Sequence, residues 1–184
     1  MATLLFETHS LTTDNERGRA TGWLGGTLSA RGRALAAELG ARRAADVDRV
    51  YASDLARAVD TAEIAFGATD VPVVLDWRLR EIDYGELNGG DVTAVERERA
   101  GRVDVPFPRG ESYRQVVVRV AAFLEDIRAV DDGRVLVIGH TATRWALDHL
   151  LAGASFSDVV TRPFAWREGW EYELESRRDP LVAS

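Results

Sequence analysis

Apolar residues along this chain fall into short uninterrupted runs, and between the runs they recur every three or four positions. Leu4-Leu5-Phe6 is the first run, too short for a helix and bounded by polar residues, and it reads as a buried strand. Val47–Ala52, Val71–Leu75 and Val135–Ile138 read the same way, with Pro72 placing the third at a sheet edge or a strand start. Leu28–Ala45 carries Leu28, Ala34, Leu35 and Leu39 at helical spacing behind Ser29, a good N-cap residue. A second helix opens at Ser53 or Asp54 as cap and runs to about Phe66, with Arg57 in its first turn. Asp91–Gly101 predicts a short exposed helix. Ser112–Val130 predicts a longer one with Val116, Val120, Phe123, Leu124 and Ile127 inward, broken by Gly133. Ala142–Leu151 is a further helix, and Trp166–Leu174 suits a last strand at an edge. Trp77–Gly90 and Val103–Gly110 read as irregular.

Short apolar strands alternating with amphipathic helices predict an α/β fold, a three-layer α/β/α sandwich with a mainly parallel central sheet. The 184 residues suit a single domain over 1–176, followed by a flexible tail at 177–184. Two of the strands end on a histidine: Leu4–Phe6 leads into Glu7-Thr8-His9-Ser10, and Val135–Gly139 leads into His140. Ligands of open α/β sheets sit beyond the carboxyl ends of the strands, so these two of the three histidines are site candidates. His149, in mid-helix, reads as structural.

Composition narrows the chemistry. There is no cysteine, which removes disulfides, thiolate metal sites and a cysteine nucleophile. All 23 basic residues are arginine, so Schiff-base and P-loop chemistry, which need lysine, are excluded. A net charge of −7 argues against nucleic acid or an anionic membrane as partner. No apolar stretch approaches the roughly 20 residues that span a bilayer, and nothing at the N-terminus resembles a signal peptide, so a cytoplasmic protein is expected.

The polar residues at the strand ends are His9, Arg57, Glu81 and His140, with Thr12 and Asn15 in the first loop. That set suits phosphoryl transfer. A neutral imidazole can attack phosphorus, arginine forks and helix N–H groups stabilise the non-bridging oxygens, and a carboxyl group can protonate the leaving oxygen and later activate water. No metal or other cofactor is needed for this, and two histidines without a carboxylate cluster make a poor metal site. An arginine in the first turn of a helix opposes the helix dipole, which makes sense if both hold an anion. Trp77, Trp145, Trp166 and Trp170 read as packing, whereas Trp23, in the glycine-rich Thr21–Gly26 loop, could stack on a substrate.

These residues resemble the histidine phosphatase superfamily, in its phosphoglycerate mutase-like branch. The family's Arg-His-Gly-x-Thr-x-x-Asn motif aligns with Thr8-His9-Ser10-Leu11-Thr12-Thr13-Asp14-Asn15. Its Ser-x-x-x-Arg-Ala-x-x-Thr-Ala motif is matched by Ser53 to Ala62, and Leu79-Arg80-Glu81-Ile82-Asp83-Tyr84-Gly85 follows its Leu-x-Glu motif. Gly110-Glu111-Ser112 and Val137-Ile138-Gly139-His140 complete five matches in order, from Leu4 to about Leu151. The resemblance implies His9 as phosphorylated nucleophile, Arg57 and His140 as phosphoryl ligands, Glu81 as proton donor, and Asn15 and Thr12 as pocket lining. It further implies a metal-independent phosphomonoester hydrolase acting on a small phosphorylated metabolite, with Asn88–Gly110 capping the site. A mutase fits less well, since the chain leaves little room for insertions that close over a bisphosphate. A homodimer is one arrangement open to it.

The departure lies beside the nucleophile, where the family's arginine is Thr8 and its glycine is Ser10. Loss of one electrostatic contact of this kind costs on the order of 10²–10³ in rate. Three readings follow: another arginine (Arg17, Arg19 or Arg144) supplies the charge; the substrate is less charged there or is not a phosphoester; or the fold is kept as an anion- or protein-binding relative without the activity.

Overall fold

The first strand sits inside the sheet, not at its rim, and this places its histidine. A computed structural model describes residues 2–130, 133–163 and 165–174. The sheet is built from β1 (Ala2–Thr8), β3 (Arg49–Ala52), β4 (Val73–Leu75), β6 (Arg134–Gly139) and β7 (Trp170–Leu174), in the order β4-β3-β6-β1-β7. The first four are mutually parallel and β7 runs antiparallel along β1. β2 (Arg19–Ala20) and β5 (Gly90–Asp91) form a separate two-stranded ribbon. The helices are α1 (Thr13–Glu16), α2 (Ala30–Arg43), α3 (Ala56–Phe66), α4 (Val92–Glu98), α5 (Tyr113–Val130), α6 (Thr141–Ala152) and α7 (Phe156–Thr161).

Two apolar layers explain the helix placement. Leu5, Val50, Ala52, Leu136 and Ile138 pack with Leu39, Ala58, Ala62 and Phe66 of α2 and α3 on one face. Leu4, Phe6, Val135 and Val137 pack with α5, α6 and α7 on the other. Strand alternation produces this split, each strand supplying odd positions to one layer and even positions to the other. The inward residues expected for the long helix, Val116, Val120, Phe123, Leu124 and Ile127, are all buried. The predicted α/β/α sandwich with a mainly parallel sheet is the observed fold. β4 and β7 lie at the edges as expected.

Local expectations differ at several points. Ser29 caps α2, its hydroxyl accepting from Gly32 N–H at 3.1 Å. α3, however, starts after Leu55 with no side-chain cap. Asp54 is held instead by Arg80, with bonds of 2.7 and 2.6 Å, and Ser53 accepts only from Leu55 N–H. Trp145 and Trp170 are packed as expected, whereas Trp77 and Trp166 are more than half exposed. The helix expected over 91–101 is α4 followed by a 3-10 turn, Arg99–Arg102. α7 and the β2–β5 ribbon had no counterpart in the sequence reading. The expected tail at 177–184 lies outside the described residues.

One glycine ties α2 to the site loop. Gly32 is buried in α2, and a Cβ there would overlap the carbonyl of Leu11. The Gly32 carbonyl in turn accepts from the Ser10 hydroxyl at 2.6 Å. Gly32→Ala is therefore expected to push the loop off the helix and cost about 1–3 kcal/mol, read as a lower denaturant midpoint at unchanged m-value.

Candidate active site

β1 and β6 are adjacent and parallel, with Thr8 level with Gly139. His9 N–H donates to the Gly139 carbonyl at 2.9 Å, so the next residue on each strand is a histidine at the same end of the sheet. The two imidazole centres are 4.9 Å apart. β3, on the other side of β6, ends in the turn that starts α3, and Arg57 is the second residue of that helix. Three neighbouring strand ends thus deliver His9, His140 and Arg57 to one place.

Arg57 is 2 % exposed and joins the histidines. Its Nε donates to His9 Nε2 at 3.3 Å, and its NH2 group donates to His140 Nδ1 at 3.3 Å and to the Gly22 carbonyl at 2.8 Å. Its NH1 group donates to the Leu24 carbonyl at 2.9 Å. Carbonyls and neutral rings, not a carboxylate, thus satisfy this guanidinium, and its positive charge is left for an anion.

These contacts fix both tautomers. His9 Nδ1 lies 2.8 Å from the Ser10 carbonyl, which can only accept, so the proton is on Nδ1 and Nε2 keeps its lone pair. Arginine only donates, so His140 Nδ1 accepts and its proton sits on Nε2, which has no hydrogen-bond partner among the described residues. Burial, with the Arg57 charge second, pushes His9 down to about 3. The same two causes, with His9 itself next, hold His140 well below the usual histidine range. Both rings are neutral near pH 7.

Glu81 is buried in the irregular segment before α5. Its Oε1 accepts from the N–H groups of Ile82 at 2.9 Å and Ala142 at 3.1 Å, the latter in the first turn of α6. Burial raises its carboxyl above the ordinary range, against the lowering effects of the Ile82 bond and Arg57. A protonated carboxyl group is thus available at a pH where exposed glutamates are ionised.

His9, Arg57 and Glu81 line one cavity of about 560 Å³ together with Thr8, Ser10, Asn15 and Tyr84. His140 is fully buried and does not itself line the cavity; it touches Arg57 and His9, which do. Val92, Glu96 and Arg99 supply one wall, so part of the expected capping segment does flank the site.

Thr12, Trp23 and two of the candidate arginines differ from expectation. Thr12 is fully buried and away from the cavity; its hydroxyl caps α1 and donates to Asn15 Oδ1 at 2.8 Å. Trp23 does not line the cavity: its indole N–H donates to the Glu81 carbonyl at 2.7 Å and the Arg80 guanidinium stacks on its ring. Of the arginines considered for the missing charge, Arg144 is taken by Asp148 at 3.3 Å and by the Trp170 ring, and Arg17 is exposed outside the cavity. Arg19 does line it.

Sequence reasoning missed the supports. The Thr61 hydroxyl accepts from Ser10 N–H at 2.9 Å and donates to the Arg57 carbonyl at 2.7 Å, bracing the loop after His9 against α3. Arg119 donates to the Glu81 carbonyl at 3.0 Å. Thr61 stands inside the second motif, which is the signal that pointed to it; nothing local marks Arg119. Among the described residues, no group of three or more histidine, aspartate or glutamate side chains could hold a metal ion, and no helix is long and apolar enough to cross a membrane.

Residues 4–166 match the family model of the histidine phosphatase superfamily, branch 1. The chain belongs to that superfamily. Among curated relatives, "Probable phosphoglycerate mutase GpmB" of Enterobacter sp. (strain 638) is 33% identical over 142 residues, 72% of this chain and 66% of that protein. The chain thus spans just under two thirds of that relative. The protein of the same name from Escherichia coli O1:K1 / APEC is 31% identical over 170 residues, 87% of this chain and 75% of its own length. Of solved structures, Bacillus stearothermophilus YhfR superposes with a TM-score of 0.79 at 26% identity, covering 90% of this chain and 87% of that one. Mycobacterial glucosyl-3-phosphoglycerate phosphatase in complex with VO3 superposes with a TM-score of 0.75 at 25% identity, covering 88% and 85%. The superfamily resemblance read from the five motifs is thereby borne out, and the relatives whose names state an activity are a phosphatase and probable mutases.

Neutral buried histidines carry a stability cost in acid. Each must take up a proton on unfolding below the free value of 6.5, so its stabilising contribution is present above that pH and is lost as pH falls toward the folded value. The slope is about 1.4 kcal/mol per pH unit for each histidine. Glu81 acts oppositely: its contribution is complete below 4.5 and is lost as pH rises through its raised folded value. Thermal midpoints are thus expected to fall from pH 6.5 downward and more steeply below about 4.5. His140→Gln should give a shallower slope than wild type in the same scans.

Proposed function

We propose that this chain is a metal-independent phosphomonoester hydrolase that acts on a small phosphorylated metabolite through a phosphohistidine at His9. The observation that carries this reading is the orientation of His9: neutral, with Nδ1–H fixed by the Ser10 carbonyl and the Nε2 lone pair directed at a buried guanidinium that has no carboxylate partner among the described residues. A phosphoryl group at His9 Nε2 would meet Arg57, and the buried Nε2–H of His140, without a partner among the described residues, is the further donor assigned to it.

The roles follow from these positions. His9 Nε2 donates its electron pair to phosphorus, the P–O ester bond breaks, and the Glu81 carboxyl proton passes to the departing alkoxide. Arg57 and His140 Nε2–H stabilise the charge on the transferring phosphoryl oxygens. The Glu81 carboxylate then takes a proton from water, whose oxygen attacks phosphorus; the P–N bond breaks and its electrons return to Nε2. Glu81 and His9 end as they began.

The names of the curated relatives favour a second reading, transfer of the phosphoryl group to another alcohol instead of water. Thr8 favours a third, anion binding without turnover. One assay separates them: a panel of small phosphomonoesters is incubated with the protein, and free phosphate and transferred phosphoester are both measured. Free phosphate as the main product supports hydrolysis. A predominance of transferred phosphoester replaces it with the mutase reading, and VO3 binding without either product replaces it with the binding reading.

A further inference from the structure

Thr8 lacks the charge that the family places next to the nucleophile, yet the cavity is not short of arginine. Arg19, Arg31, Arg42, Arg57 and Arg99 all line it. Arg57 is already used. Arg42 lies 3.6 Å from the buried carboxylate of Glu7, which faces α2 from β1. Arg19 is exposed, stands opposite Asp91 in the small ribbon, and donates to the Gly89 carbonyl at 3.3 Å. Arg31 is exposed on α2.

The sides of the sheet separate the two that remain. Alternation along β1 places Thr8 with Leu4 and Phe6, on the face covered by α5 and α6, and Glu7 with Leu5 on the face covered by α2. Arg31 and Arg42 belong to α2 and so lie on the Glu7 side. Arg99 reaches the cavity on the Thr8 side: its guanidinium lies over the ring of Trp145, a buried residue of α6, at 5.1 Å. Its side chain is only 13% exposed, its Nε has no hydrogen-bond partner, and its ion pair with the half-exposed Glu96 is loose at 3.6 Å. Arg99 and Tyr84 line the same cavity as His9, Arg57 and Glu81.

We propose that Arg99, on the 3-10 turn after α4, supplies the second guanidinium contact to the substrate's phosphoryl group that Thr8 cannot make. The proposal rests on the phosphomonoester reading above. It makes the charge that binds phosphate a property of the capping segment instead of the first strand. An arginine stacked on Trp145, loosely paired with Glu96 and facing the Tyr113 phenol can turn its guanidinium to a dianion, and the Trp145 face keeps it oriented.

The test measures equilibrium binding of vanadate and turnover of p-nitrophenyl phosphate for wild type, Arg99→Ala, Arg31→Ala, and Arg99→Ala combined with Thr8→Arg. Arg99→Ala is expected to weaken vanadate binding and lower kcat/KM by about 100-fold or more. Arg31→Ala should lose at least about tenfold less than Arg99→Ala, and Thr8→Arg in the Arg99→Ala background should recover at least about tenfold. Recovery by a charge returned from the first strand is not produced by a merely structural role for Arg99. An Arg99→Ala variant that binds vanadate as wild type does overturns the proposal. So does a loss that follows Arg31 instead, or one that Thr8→Arg leaves unrepaired. Because binding is read separately from turnover, a wild-type chain that binds vanadate through Arg99 yet hydrolyses nothing overturns the hydrolase reading and upholds this one. A chain that does neither overturns both.

Discussion

Replacing His9 with alanine is expected to lower kcat/KM for phosphomonoesters by about 10⁴-fold or more, with KM little changed. The size follows from the position of the ring. His9 is held by its own backbone bond to Gly139, its Nδ1 contact to the Ser10 carbonyl and its Nε2 contact to Arg57, so no other nitrogen lies where its lone pair does. His140, the nearest imidazole, presents its lone pair to Arg57 and carries its proton on Nε2, which makes it a donor and not a substitute nucleophile. Binding should survive, because Arg57 keeps its bonds to the Gly22 and Leu24 carbonyls when His9 is removed. A His9→Ala protein that binds vanadate but releases no phosphate is the expected outcome, measured by titration alongside a phosphate-release assay. Activity within about tenfold of wild type would remove His9 from the reaction.

The second large effect is expected at Glu81. Glu81→Gln keeps an oxygen for the N–H groups of Ile82 and Ala142, so the start of α6 should hold, but it removes the proton that must pass to the leaving oxygen. Loss of a general acid costs about 10²–10⁴-fold. The loss should depend on the substrate: an alkyl phosphate needs the proton and should show the full effect, whereas p-nitrophenyl phosphate leaves as a stable phenolate and should show less. Since the proposed mechanism has the same carboxylate activate water, the variant should accumulate phosphoenzyme, visible as a burst of nitrophenol in the first turnover. In wild type, kcat/KM under the proposed mechanism needs Glu81 protonated and His9 neutral. It should therefore fall as pH rises through the raised Glu81 value, while the acid limb from His9 lies near 3 instead of near 6.5. Equal losses on both substrates would assign Glu81 a structural role in capping α6.

The sequence revealed those parts of the site that depend on strand ends and local chemistry. Two apolar runs each closing on a histidine sufficed to mark His9 and His140, because a buried parallel strand is a continuous apolar stretch and its end is where polarity returns. Arg57 stood out because an arginine in the first turn of a helix runs against the dipole, and the structure places it in contact with both histidines. What stayed hidden depends on contacts between distant segments. Thr12 looked like pocket lining, but its hydroxyl closes a reciprocal cap with Asn15. Trp23 looked like a stacking platform, and its indole instead holds the Glu81 carbonyl from 58 positions away. Asp54 looked like a helix cap and was taken by Arg80. The ribbon of β2 and β5 has two residues per strand, too few for any periodicity to show. Among the arginines, numbering distance misled: Arg144 lies four residues after His140 yet is committed to Asp148, whereas Arg99, far from every motif, reaches the cavity.

The central claim is a covalent phosphoryl group on His9, and the most direct measurement traps it. Wild type, Glu81→Gln and His9→Ala are mixed with p-nitrophenyl phosphate, quenched in base within the first turnover, digested, and the peptides read by mass spectrometry. The account predicts an acid-labile, base-stable phosphoryl group on the peptide containing His9, more abundant in Glu81→Gln than in wild type and absent from His9→Ala. Turnover with no phosphorylated peptide, or a phosphoryl group on a different residue, would contradict it.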